Sequence, residues 1–156
     1  MSTKNDNINL NYFVVKANMN NLFFLRSVKS HYNEITLLIF RVVVSVSLMT
    51  HGYSKLIRLI EGNIWGRTHL FFNEEISLAL VAFAEFICPI FVAIGFWTRF
   101  FTLPIIYTFL VIVFDVHFDD PFSKMEKGIL FLVSYLLIFM LGPGKLSVDN
   151  LTSKKQ

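Results

Sequence analysis

Among the ionisable residues inside or at the ends of long apolar runs are Arg41, His51, Glu85, Asp115 and His117. An unpaired charge in hydrocarbon costs several kcal/mol, so such residues usually face a bundle interior, a polar pathway or a ligand. An imidazole that titrates near neutral pH and a carboxylate make a proton relay, or a donor–acceptor pair for a polar ligand. The stretch VSLMTHGYSKL, residues 46–56, concentrates the question: a histidine, a glycine and a lysine close an apolar run.

The elements that hold these residues follow from composition. The 156 residues are 54% hydrophobic and only 16% charged, with eighteen phenylalanines, and the mean hydropathy is +0.58. Soluble domains carry roughly 25% charged residues. A soluble fold of this length could not hide so much apolar surface, whereas lipid faces it readily. The chain therefore reads as an all-α integral membrane protein with one domain. Four runs approach the ~20 residues that a helix needs to cross hydrocarbon: residues 35–57, 76–97, 100–118 and 125–141. Lipid forbids unpaired backbone groups, and the runs lack period-two alternation, so a four-helix transmembrane bundle is expected. Pro89 and Pro104 should kink their helices. Gly142-Pro143-Gly144 should stop the fourth, with glycine as cap.

Residues 1–34 mix Phe, Leu and Val with Lys, Arg and Asn. They fit an amphipathic helix on the membrane surface, or a loosely bound tail. Trp65, in the loop after the first run, suits an interfacial anchor. Residues 35–145 form the membrane domain, and residues 146–156 a cytoplasmic tail. No cleavable leader is visible. Lys4, Lys16, Arg26, Lys29, Arg99, Lys145, Lys154 and Lys155 lie on one side, against Lys55, Arg58, Arg67, Lys124 and Lys127 on the other. That excess places both termini in the cytoplasm.

The formal charge of +3 does not signal nucleic acid, because the basic residues sit at the ends of apolar runs. Cys88 is the single cysteine, so an intramolecular disulfide is excluded, and no metal-ligand spacing is visible.

At ~1.5 Å rise per residue, His51 lies roughly 9 Å, and Glu85 roughly 13 Å, inside the outer ends of their helices. Lys55 follows His51 by four residues on the same face. Asp115 and His117 lie at that end of the third helix. Helical spacing sets them on nearly opposite faces, so one is expected to point inward. Glu126 opens the fourth helix from the same side. Lys55 and Glu126 are read as interfacial or supporting groups, and Gly52 as a site of close helix approach. Arg41 lies ~10 Å below Glu85 by the same rise; it either pairs with Glu85 or snorkels to the headgroups.

The order of short motifs resembles the DoxX family. Arg41 and then HGYSKL, with His51, Gly52 and Lys55, match its first-helix signature. Ala84-Glu85 and then GFWTRF, with Gly95, Thr98 and Arg99, are similar to its AE…G-x-x-TR pattern. LGPGKLSVD, residues 141–149, with Gly142 and Gly144, looks like its closing motif. Where family-like sequences are glycine-rich after the AE pair, this chain has Phe86-Ile87-Cys88-Pro89. The resemblance implies a small four-helix protein of the bacterial or archaeal inner membrane. It also implies association with quinone-linked or oxidative-stress redox complexes, without fixing an activity.

The expected role is a small subunit or partner of such a complex, with a polar pocket of His51, Glu85, Arg41 and Asp115 or His117. A quinone suits it: His51 would donate to a carbonyl while Glu85 handles a proton. Whether the chain is itself an enzyme stays open. The alternatives are a small proton-coupled transporter and a non-catalytic assembly subunit whose polar residues only join helices. The expected partners are the bilayer, a quinone, a membrane or peripheral oxidoreductase, and a second copy of the chain.

Overall fold

The computed structural model describes residues 33–64, 73–118 and 120–153. The expected surface helix and Trp65 lie outside the described residues. Contacts divide the chain into residues 1–36 and 37–156, and the bundle belongs to the second unit.

Every described element is helical. Three helices are long and apolar enough to cross a membrane: α1 (Asn33–Ile60), α2 (Glu74–Ile94) and α3 (Thr98–Val116). The fourth, α4 (Phe122–Leu141), has 20 residues and carries Lys124, Glu126 and Lys127 near its start. It is long enough to span, and its charges gather at one end. A short α5 (Val148–Ser153) follows, so the segment expected as a tail begins with ordered structure. Both termini of α1 and the start of α2 reach beyond the predicted apolar runs, because polar residues continue the helices.

Local chemistry explains the boundaries. Asn73 caps α2, its Oδ1 accepting from the Ile76 N–H at 3.0 Å, and Glu74 and Glu75 occupy the favourable first turn. Gly95 ends α2 with φ +74°; the Phe96 N–H returns to the Phe91 carbonyl at 2.9 Å, which satisfies the last turn. Gly142 ends α4 with φ +77°, as expected. Pro104 lies inside α3, which continues through it. Pro89 acts differently. It has no N–H to return to the Glu85 carbonyl four residues back, and the preceding turn, Phe83–Ile87, is widened to a π-helix. A second π-turn, Ile112–Val116, closes α3. Such turns often mark functional sites.

Helix pairs α2–α3 and α3–α4 pack directly. α1 completes the ring: Gly52 lies against the Glu85 backbone of α2, and Ser45 accepts from the Tyr135 hydroxyl of α4 at 3.5 Å. Leu48, Cys88, Val92, Ile105, Tyr135 and Ile138 are fully buried between the helices. Val43, Leu103, Phe114, Leu130 and Met140 face outward, as lipid-facing positions do.

Candidate ligand cavity

Glu85 sits in the π-turn of α2 and is 1% exposed. Lys55 of α1 donates to its Oε1 at 2.5 Å. The long Lys55 stem reaches inward from α1 and its ammonium pairs with the buried carboxylate, so Lys55 supports Glu85. Glu85 Oε2 is buried and has no hydrogen-bond partner among the described residues.

The pair is held by a backbone contact. A Cβ on Gly52 would lie 2.5 Å from the Glu85 carbonyl oxygen and 2.7 Å from the Phe86 nitrogen. Only glycine lets α1 approach α2 this closely, and the approach puts Lys55, nearly one turn on, within reach of Glu85.

Lys55 and Glu85 line a cavity of about 300 Å³. His51, His117, Lys124 and Lys127 also line it, with walls supplied by Leu48, Phe109, Ile112 and Phe131. The His51 ring stands edge-on to Phe131, 5.7 Å between centroids. Gly128 brings α4 close to the second π-turn, where a Cβ would lie 3.1 Å from Val113 Cγ2. Asp115, in the last turn of α3, is exposed, whereas His117, one residue past the helix with φ −115°, lines the cavity. Glu126 is exposed at the start of α4.

Asp120 was missed in the sequence. Its carboxylate accepts from His117 Nδ1 at 2.7 Å and from Lys124 Nζ at 2.7 Å. The bond to His117, and then that to Lys124, hold the Asp120 carboxyl below its usual range. The HFDDP sequence carried the available signal: a carboxylate three residues after a histidine, in a turn before proline.

Arg41 does not line this cavity and does not pair with Glu85. Its guanidinium, 1% exposed, donates to the carbonyls of Ala93 at 3.2 Å, Leu146 at 3.0 Å and Pro143. These acceptors lie at the end of α2 and in the turn after α4. The same knot contains Gly95, where a Cβ would meet Ser147 Cβ at 2.6 Å and the Arg41 guanidinium at 3.0 Å. Asp149 closes it: its carboxylate accepts from the N–H groups of Trp97 at 2.8 Å and Thr98 at 3.1 Å. It thereby caps α3 from the far end of the chain and holds Trp97 at φ +44°.

The DoxX family model matches residues 36–118, just over half of the chain. The chain belongs to the DoxX family. No curated protein and no solved structure matches it. The family match ends before α4, yet the closing LGPG segment is joined to it through Arg41, Gly95 and Thr98. The motifs of this DoxX protein thus divide into two groups. Gly52, Lys55 and Glu85 build the cavity, while Arg41, Gly95, Thr98, Gly142 and Asp149 tie the opposite ends of the helices together.

Proposed function

We propose that this DoxX protein is a small membrane subunit or partner of a quinone-linked or redox-defence complex, and that the Lys55–Glu85 cavity holds a quinone head group. The proposal extends to the inner membrane as its location, with both termini cytoplasmic. The observation that supports it is the buried Glu85 carboxylate, with one oxygen bound to Lys55 and the other unpartnered among the described residues, in a cavity with aromatic and aliphatic walls. A buried acceptor without a donor is costly, and a quinol hydroxyl supplies the missing donor. On oxidation the quinol gives up two protons, one to Glu85 and one to the His51 or His117 imidazole on the same cavity, and its two electrons go to a redox partner protein.

Purification in native lipid, extraction and mass spectrometry test this reading. Wild type should retain quinone, and Glu85→Gln and His51→Ala should lose it. Quinone absent from wild type, with proton-coupled flux in liposomes that Glu85→Gln abolishes, would replace this reading with transport.

A further inference from the structure

A second hollow, of about 350 Å³, lies between α1 and α4. It shares His51, Lys127 and Phe131 with the polar cavity, so the two meet at the His51–Phe131 ring contact. From there it is lined by Ser47 and Val43 on α1 and by Leu130 and Ser134 on α4. Val43 and Leu130 are 60% and 61% exposed and form its outer rim, and Ser134 is half-buried. The eight residues from His51 to Val43 give it a length of about 12 Å, directed away from Lys55 along the apolar part of α1.

We infer that this groove is the tail subsite of the cavity: it takes the proximal prenyl chain of a quinone whose head lies beside Glu85. The inference rests on the cavity being a quinone site, and it commits the ligand to the tailed, membrane-dissolved class. Its polar inner end, at His51 and Lys127, and its apolar run match such an amphiphile end to end. The apolar hollow between α2 and α3 shares only Val81 and Ile112 with the cavity, and neither is a polar group that marks an entrance. Because the groove is open along its rim, the ligand enters sideways from the bilayer and the head passes His51 before reaching Glu85.

The full chain in lipid nanodiscs provides the test, with benzoquinones bearing no tail, one isoprene unit, or several. Ser134→Phe and Val43→Trp fill the groove. Each should weaken the tailed quinones by about tenfold or more, through lost apolar burial, and leave the tail-free quinone unchanged. Comparing variant with wild type for the same quinone cancels its partition into lipid. As a measurement that needs no variant, a quinone with a diazirine on its first isoprene unit should cross-link to peptides containing residues 43–47 and 130–134. Excess unmodified tailed quinone should compete this label away. Variants that bind every quinone as wild type does, or labelling spread evenly over lipid-facing peptides, would overturn the tail subsite, leave the head site standing and identify bulk lipid as the groove's occupant. Failure of all quinones to bind wild type would overturn the head site, and the tail subsite with it.

Discussion

The backbone of Gly52 touches the backbone of Glu85, and this contact decides where the buried carboxylate of α2 meets the lysine of α1. On an exposed helix, replacing glycine by alanine would stabilise by up to ~1 kcal/mol. Here the new methyl must displace the Glu85 carbonyl, a rigid group in a π-turn. Gly52→Ala should therefore destabilise by about 1–3 kcal/mol, measured as a lower unfolding midpoint in detergent. An unchanged or raised midpoint would show that the helices stand farther apart.

The ion pair predicts an asymmetry. Lys55→Met leaves a buried carboxylate without its cation and should cost ~3 kcal/mol or more. Glu85→Gln keeps a polar group that still accepts from Lys55 and should cost less. The double variant should recover part of the Lys55→Met loss, giving a coupling energy of at least ~1 kcal/mol in a double-mutant cycle. Strict additivity would mean that the two side chains do not interact.

At the other end, Arg41 and Asp149 serve one structure. Arg41→Gln removes a donor from three carbonyls and should cost about 2–3 kcal/mol. Asp149→Ala removes the cap of α3 and should cost about 1 kcal/mol. Since both secure the turn after α4 against the α2–α3 corner, their combined effect should fall short of the sum. Ligand binding in the cavity should persist in both variants at temperatures where they stay folded, as binding assays would show. Loss of binding in folded Arg41→Gln would assign this arginine to the cavity.

Asp120 gives a pH signature. Its carboxyl is held low first by the His117 hydrogen bond and then by Lys124. A carboxyl lowered in the folded state contributes stability above its unfolded pKa and loses it as pH falls through the folded value. The protein should thus lose stability on acidification below ~pH 4, and Asp120→Asn should remove that part of the profile. His117→Gln should raise the Asp120 titration midpoint, read by carboxyl carbon NMR. A midpoint that does not move would exclude the His117 bond in solution.

The apolar run lengths and the low charge content determine a helical membrane protein, because lipid leaves the backbone no other way to satisfy its hydrogen bonds. The order of short motifs was enough to indicate the DoxX family, and helical rise led to the expectation that His51 and Glu85 share one level of the bundle. Sequence spacing could not show which way a long side chain bends. Lys55 lies one turn nearer the helix end than His51, which suits the water boundary; only the close approach at Gly52 turns it toward Glu85. Arg41 was similarly ambiguous, since its acceptors are backbone carbonyls at residues 93, 143 and 146 and carry no side-chain signal. Asp149 looked like part of a tail because a cap fifty residues away leaves no local pattern. Helices were written in the sequence by local hydrogen bonding and hydropathy. Their partners were decided by tertiary packing, where the missing Cβ of Gly52 and the missing N–H of Pro89 let two backbones meet.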